Sequence, residues 1–232
     1  LIFVEVALLP EIPTVITPLV DKRAEAVDQP SQYKVAVFYS ISNCEPGLRG
    51  VSMGNFLIKR VAEQLHAEFP AIKTFVTLSP IPGFMDWVSA GAHLGEHLPV
   101  DSLKPNLKAA REQSLATLKL DAQSWAEKLS SGWHPDLASE KEKEALLCLA
   151  SMYLGMGSTG RNGNPVAKFH LGNGAKLHLV NWAGDLSRKG LRQSAGLMVN
   201  YLYDLGSVEE NHEKFTNGEI IYSRAVGRLM VP

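Results

Sequence analysis

The sequence predicts an α/β (α+β) protein in which a helical insertion separates two groups of strands. Three observations support this fold class. Short runs rich in β-branched and aromatic residues occur in both halves of the chain, a glycine-bearing loop leads from one of them into an amphipathic segment, and residues 85–154 show helical patterning. With 232 residues, 45% of them hydrophobic, the chain is long enough to bury a substantial core.

The first strands are predicted at residues 1–9 and 33–41, whose apolar composition is typical of buried strands. The second strand is followed by the loop GLRGVSMGN, residues 47–55, which carries three glycines. A helix is predicted next, because apolar residues recur there at helical spacing: Met53, Phe56, Leu57, Val61 and Leu65.

A third strand is predicted over residues 72–79 and ends in Ser79, at the start of the motif SPIPGF. Proline fixes its own φ and restrains the residue before it, so the two prolines after Ser79 favour a stiff turn that holds the serine hydroxyl in place. The alternative is that these breakers only end the strand. Helical segments separated by Pro, Gly and Ser then fill residues 85–154.

Strand patterns return after this insertion. We predict strands at residues 166–171 and 175–182, joined as a hairpin by a turn at Gly172, Asn173 and Gly174. His170 and His178 therefore fall on predicted strands. Residues 185–200 are predicted to form a turn and a helix.

Composition and charge exclude several classes of function. The formal net charge is -1, which gives no electrostatic reason to expect a nucleic acid or an anionic membrane as partner. Cys44 and Cys148 lack the spacing of a zinc site, so no metal is expected and a reducing compartment is the default. No apolar run approaches the ~20 residues of a membrane span. The chain begins inside a strand pattern and without Met, which leads us to expect preceding residues.

Two constellations carry the candidate chemistry. The first is the loop at residues 47–55, because backbone N–H groups at a helix N-terminus bind anions such as pyrophosphate, and Arg49 adds a positive charge. A tight turn without a ligand is the alternative. The second is Ser79 with His170, since imidazole is the side chain best suited to proton transfer near neutral pH, although a structural histidine is the alternative.

Five segments resemble the catalytic domain of malonyl-CoA decarboxylases: GLRGVSMGNFLIKRV, FVTLSPIPGF, NPVAKFHLGNGA, NWAGDLSRKG and GLMVNYLY. The resemblance extends over about residues 1–230, is least in the helical insertion, and implies a single catalytic domain over residues 1–232. It implies an acetyltransferase-like (GNAT) fold, with a mixed β-sheet flanked by helices and a V-shaped opening for coenzyme A. In the family an all-helical N-terminal domain precedes this domain, and we expect it to be absent from this chain.

The resemblance implies conversion of malonyl-CoA into acetyl-CoA and CO2, with no metal or organic cofactor. The catalytic residues would be Ser79 and His170. Residues of the phosphate loop would bind coenzyme A: Arg49, Gly50, Val51, Ser52, Met53, Gly54 and Asn55. Residues in other matching motifs would line the acyl pocket: Asn164, Asn200, Tyr201 and Tyr203.

The chain departs from the family at two positions. Some members carry a glutamate where this chain has Ser52, and a histidine where it has Glu5. We therefore hypothesise that Glu5 orients His170 or Ser79 in place of the missing glutamate. The alternative is that Glu5 is only the outward residue of an alternating strand.

Other functions fit the sequence less well. An acyl-CoA N-acyltransferase would share the fold and the phosphate loop, but the chemistry leaves Ser79 and His170 without a role. A noncatalytic CoA-binding module has no use for this pair either, and a Ser/His hydrolase would need a G-x-S-x-G elbow that the chain lacks. The family resemblance further implies a homo-oligomer, a dimer or a tetramer. We expect a cytoplasmic, bacterial setting, with mitochondria or peroxisomes as the alternatives if targeting residues precede the given sequence.

Overall fold

The fold is built around a mixed β-sheet with helices on its faces. The computed structural model describes residues 2–21, 32–43, 54–95 and 98–231, and within them six strands form one sheet. The strands are β1 (Ile2–Leu9), β2 (Val35–Asn43), β3 (Thr74–Thr77), β4 (Ser79–Pro80), β5 (Lys176–Asn181) and β6 (Met198–Tyr203). The mixed α/β class predicted from the sequence is therefore confirmed.

Half of the helices in the described residues lie between β4 and β5. They are α1 (Thr17–Val20), α2 (Gly54–Glu68), α3 (Phe84–Ser89), α4 (Pro105–Leu118), α5 (Ala122–Ser130), α6 (Glu140–Gly155), α7 (Pro165–Gly172), α8 (Arg188–Ser194), α9 (Val208–Thr216) and α10 (Arg224–Leu229). Single 3-10 turns precede α4 and α6, at Val100–Ser102 and Pro135–Leu137. None of the helices in these described ranges is both long and apolar enough to cross a bilayer.

The pairing of the strands changes in the middle of the sheet. β1 is antiparallel to the whole of β2, whereas β2 pairs with β3, in parallel, only as far as Phe38 and Thr77. Beyond that point β2 continues beside β1, while β3 and β4 both pair with β6, and Ser79 of β4 pairs with Val199. The parallel pairing of β2 with β3 thus ends two residues before Ser79.

Alternation along the strands divides the core between the two faces of the sheet. In β2, Ala36 and Phe38 belong to the main core, which also includes α6 and α7, whereas Val35 and Val37 face a smaller cluster with Ile16 near α1. Each fully buried aliphatic or aromatic side chain contributes about 1.5–3 kcal/mol of hydrophobic stabilisation. The larger face is the one on which the candidate catalytic side chains lie.

The prediction of a strand at residues 166–171 is wrong, because these residues form α7. Asn164 caps this helix, with its side chain accepting a hydrogen bond from the Ala167 N–H, and Pro165 occupies the first turn. Both are signals of a helix start that outweigh the strand composition of a short apolar run. The three buried residues, Ala167, His170 and Leu171, follow helical spacing. His170 is therefore a helical residue.

The predicted turn and helix over residues 185–200 are correct only in part. Ser187 caps α8, which ends at Ser194, and Ala195 and Gly196 then adopt positive φ values. These residues reverse the chain, so that β6 begins at Met198. Strand β6 lies between β3 and β5, a position that favours its apolar and aromatic residues.

Candidate active site

Ser79 lies where the buried strand β3 ends and the chain turns towards α3. Thr77 and Ser79 are two residues apart, so the strand geometry directs both side chains to the same face of the sheet. The turn after Ser79 ends at Gly83, whose φ of 74° is the left-handed conformation that glycine adopts without strain. Ser79 is only 5% exposed, so its hydroxyl needs partners within the protein.

His170 comes to this strand end from the last turn of α7. It is as deeply buried as Ser79, and its ring stacks on that of Tyr201 in β6, with 4.7 Å between the ring centroids and 25° between the planes. The Nε2 atom of His170 lies 3.2 Å from the Ser79 hydroxyl oxygen. The fold thus brings together the two predicted catalytic residues, which are 91 positions apart in the sequence.

Four side chains form one continuous hydrogen-bonded chain. The Ser79 hydroxyl lies 2.9 Å from the Thr77 hydroxyl, and His170 Nδ1 lies 2.9 Å from the Tyr203 hydroxyl. The donors and acceptors of this four-residue chain can be arranged in either of two directions. In one direction Tyr203 donates to Nδ1 and Nε2–H donates to Ser79; in the other, Ser79 donates to Nε2 and Nδ1–H donates to Tyr203. When the chain changes from one direction to the other, a proton taken up at one end is matched by a proton released at the other end.

Burial sets the protonation states in this chain. It lowers the pKa of His170 from its ordinary 6.5 to about 3, because a positive imidazolium would be removed from water. Burial also raises the pKa of Tyr203 well above its ordinary value. At neutral pH the site therefore holds a neutral imidazole between two hydroxyl groups.

Tyr201 presents a polar atom that the described residues leave without a partner. Its side chain is completely buried and stacks on His170, and among the described residues its hydroxyl makes no hydrogen bond. Burial raises the pKa of this phenol, so the hydroxyl stays protonated. An unpaired buried hydroxyl is unfavourable unless a ligand or water completes it. Tyr201 and Tyr203 thus both contact His170, and their place in an acyl pocket stays a prediction.

The two predicted pocket asparagines use their side chains within the protein. The Asn200 amide donates to the Thr77 and Pro13 carbonyl oxygens and accepts from Asn181. Asn164 accepts from the Ala167 N–H and donates to the Pro82 carbonyl oxygen. Both asparagines are completely buried. They therefore hold the elements that carry Ser79 and His170.

Glu5 does not join the pair in this structure. It is an exposed residue of β1, opposite Ser40 and beside a bulge in the pairing of β1 with β2. Among the described hydrogen bonds, His170 uses its two nitrogens for Ser79 and Tyr203. Tyr203 therefore occupies the orienting position that the sequence-based hypothesis gave to Glu5.

Most of the predicted phosphate loop lies outside the described residues. This applies to Arg49, Gly50, Val51, Ser52 and Met53. The backbone description resumes at Gly54, the first residue of α2, and Asn55 follows it in that helix. In the described part of the chain, no three His, Cys, Asp or Glu side chains are grouped in a way that could hold a metal ion.

The role of Thr77 was missed from the sequence, although a signal for it exists. In FVTLS the strand period of two places Thr77 on the face of Ser79, so a hydroxyl partner was predictable. Tyr203 was predicted as a lining residue, but its contact with His170 was not. That contact depends on the packing of α7 against β6, which no local pattern specifies.

Comparison with known proteins identifies the family of this chain. The sequence profile of the malonyl-CoA decarboxylase C-terminal domain matches residues 1–232. The chain belongs to the malonyl-CoA decarboxylase family. Similar curated proteins include the mitochondrial malonyl-CoA decarboxylase of Anser anser anser, 39% identical over 224 residues, and that of Mus musculus, 41% identical over 197 residues. These alignments cover 91% and 79% of this chain.

Solved malonyl-CoA decarboxylases share the fold. The structure from Rhodopseudomonas palustris has a TM-score of 0.75 and 43% identity over 98% of this chain. The structure from Cupriavidus metallidurans has a TM-score of 0.75 and 42% identity over 99% of this chain. This chain spans 49% and 54% of those two proteins, and 43% and 38% of the goose and mouse relatives. It therefore corresponds to about half of a malonyl-CoA decarboxylase.

Proposed function

We propose that this chain carries out the decarboxylation of malonyl-CoA to acetyl-CoA and CO2. The observation that carries the proposal is the buried contact between the Ser79 hydroxyl and His170 Nε2, in a chain of this family. Four relatives from bacteria and animals carry the name malonyl-CoA decarboxylase, which supports the choice of substrate.

The reaction determines what the site must supply. Loss of CO2 breaks the bond between the carboxyl carbon and the α-carbon, and its electron pair moves into the thioester as an enolate. The enolate oxygen needs a hydrogen-bond donor, and the α-carbon needs a proton. The thioester itself accepts the electrons, so we propose that no metal or organic cofactor takes part. Ser79 binds the malonyl carboxylate or the thioester, and His170 Nε2–H gives the proton.

A neutral imidazole suits this role. A thioester enolate is a strong base, so Nε2–H is acidic enough to protonate its α-carbon, while the Tyr203 hydroxyl donates a hydrogen bond to Nδ1 and stabilises the charge left on the ring. Water returns a proton to Nε2 after the product leaves, which restores the starting tautomer. Burial also helps the first step, because a nearly dry site disfavours the localised charge of the carboxylate more than the spread charge of the enolate.

The CoA pyrophosphate is assigned in this proposal to residues 49–55. Helix α2 has 15 residues and begins at Gly54, so its first N–H groups and its dipole favour an anion there. Arg49 supplies a full positive charge close by in the sequence. The acyl group then extends towards Ser79, into the V-shaped opening that the family resemblance implies.

The test measures acetyl-CoA and CO2 released from malonyl-CoA by the full-length protein and by Ser79→Ala and His170→Asn variants. We expect the rate constant to fall by a hundredfold or more in each variant, about 2.7 kcal/mol of transition-state stabilisation. Ser130→Ala, which alters an exposed serine far along the helical insertion, is the matched control and is expected to keep the parent rate.

Two outcomes would overturn the proposal. A folded parent protein that binds CoA but releases no CO2 is not a decarboxylase, and transfer of an acetyl group from acetyl-CoA to an amine would then identify an N-acyltransferase. CoA binding with neither reaction would identify a noncatalytic module. Parent-like rates in both variants would leave the reaction standing but remove Ser79 and His170 from it.

A further inference from the structure

Asn164 bonds to both of the elements that carry the reacting pair. Its side-chain oxygen accepts a hydrogen bond of 2.9 Å from the Ala167 N–H and so caps α7, the helix of His170. Its side-chain N–H2 group donates a hydrogen bond of 2.8 Å to the carbonyl oxygen of Pro82, in the turn that begins at Ser79. The residue is completely buried.

We propose that Asn164 is a positioning residue that sets the distance between the Ser79 hydroxyl and the His170 imidazole. Within the described part of the chain, two hydrogen bonds connect the turn at residues 79–83 with α7. One is the Ser79–His170 contact itself, and the other is made by Asn164. The second bond therefore fixes the geometry of the first. This role rests on the proposed function only for the identity of the reaction.

The two connections are short and stiff, so a displacement at Asn164 reaches the reacting atoms. Pro82 is three residues from Ser79, and the turn between them contains two prolines. His170 follows Asn164 by six residues, roughly 9 Å along a helix that rises 1.5 Å per residue. The Tyr153 hydroxyl also reaches the Pro82 carbonyl oxygen, but at 3.4 Å it is the weaker donor.

Only a side chain that carries both an acceptor and a donor, and that is as long as asparagine, can bond to both the Ala167 N–H and the Pro82 carbonyl oxygen. Serine keeps the helix cap but cannot also donate to Pro82, since its single hydroxyl is shorter than the amide. Aspartate keeps the cap but places a negative charge against a carbonyl oxygen. The partly buried carbonyl oxygen of Pro82 needs a donor, and Asn164, at 2.8 Å, is the nearer of the two side chains that donate to it.

The test compares Asn164→Ser with the parent and with Ser139→Ala. Ser139 caps α6 by accepting a hydrogen bond from the Glu142 N–H and touches neither reacting residue. The control therefore loses a helix cap at a position that does not contact the candidate active site. We expect Asn164→Ser to lower kcat for malonyl-CoA by about tenfold or more and to leave KM within about twofold. We expect Ser139→Ala to lower the melting temperature and to keep kcat.

A second readout does not depend on decarboxylation. In protein labelled with 15N-histidine, the shifts of the His170 ring nitrogens report the hydrogen bond to Ser79. We expect Asn164→Ser to change the Nε2 shift and Ser139→Ala to leave it unchanged. An Asn164→Asp variant, which keeps the helix cap but loses the donor to the Pro82 carbonyl oxygen, is expected to behave like Asn164→Ser.

The outcomes separate this inference from the proposed function. If Asn164→Ser is folded and keeps both the parent kcat and the parent His170 shifts, the positioning role is wrong. If the parent does not decarboxylate malonyl-CoA, the proposed function fails, and the His170 shifts alone decide the inference. A change in Nε2 in Asn164→Ser but not in Ser139→Ala then supports the positioning role, and its absence overturns it.

Discussion

His170 shows how burial sets the protonation state of a single side chain. Its ring lies between the Ser79 and Tyr203 hydroxyl groups and against the face of Tyr201. The pKa of about 3 follows from this environment. The residue therefore keeps a neutral ring over the whole range in which most proteins work, and either nitrogen can be the donor.

The first prediction concerns stability against pH. In the unfolded chain His170 binds a proton below pH ~6.5, whereas in the folded protein it stays neutral until about pH 3. Acid therefore favours the unfolded state. As the pH falls through this window, His170 lowers the free energy of unfolding by up to about 1.4 kcal/mol per pH unit, and it has no such effect above pH ~6.5.

Urea unfolding of the parent and a His170→Gln variant between pH 5 and 8 measures this effect. The other titrating groups are common to both proteins, so the difference between the two free energies isolates His170. We expect the variant to gain stability relative to the parent as the pH drops below 6.5. Parallel curves over the whole range would contradict the low pKa.

At the scale of elements, the end of α7 is held by backbone hydrogen bonds. The Ala175 N–H donates to the His170 carbonyl oxygen and the Gly174 N–H donates to that of Leu171, the paired bonds of a Schellman motif. Gly174 has a φ of +78°, and a Cβ atom here would overlap the backbone carbonyl of Val208 at the start of α9. The glycine thus allows α9 to pack against the helix of His170.

The second prediction compares Gly174→Ala with Gly132→Ala. Gly132 ends α5 with the same pair of backbone bonds and a φ of +86°, but it has open space where its Cβ would lie. The control therefore measures the strain of the left-handed conformation alone, about 1–2 kcal/mol. We expect Gly174→Ala to lose at least ~2 kcal/mol more, measured by urea unfolding. Equal losses would mean that α9 moves aside easily.

At the scale of the whole molecule, the helices between β4 and β5 share one core with the sheet. Leu146, Leu149 and Met152 of α6 are buried in the same cluster as Phe75 of β3 and Tyr201 of β6. The helical segment therefore cannot unfold or detach without exposing the face of the sheet that carries the candidate active site. This continuity couples the stability of the insertion to the geometry of the site.

The third prediction is that this insertion and the sheet unfold together. Native-state hydrogen exchange, read by mass spectrometry, gives an opening free energy for each segment. We expect peptides from α6 and β6 to show the same, highest value. Peptides from α1, which has no buried residue, are the control and should exchange quickly. A lower value for α6 than for β6 would show that the insertion opens on its own.

Local patterns were sufficient for much of the fold. The strands β1, β2, β3 and β5 and the helix α2 follow from apolar runs and helical spacing. The prediction for residues 166–171 was wrong because so short a run, VAKFHL, fits either the strand or the helix period, and only the cap by Asn164 and Pro165 decides for a helix. Strand β6 was assigned partly to a helix, since its pairing partners are distant in the sequence.

The sequence by itself determined the fold class and the family and selected Ser79 and His170 as the candidate reacting residues, because motifs such as SPIPGF and FHLGNG are local and specific. The oligomeric state and the compartment stay predictions. Only the tertiary structure decided that Tyr203 and Thr77 complete the chain through Ser79 and His170, and that Asn164 joins the helix to the turn. The physical reason is that hydrogen bonds of about 3 Å between distant segments depend on how helices pack on the sheet, which no local pattern encodes.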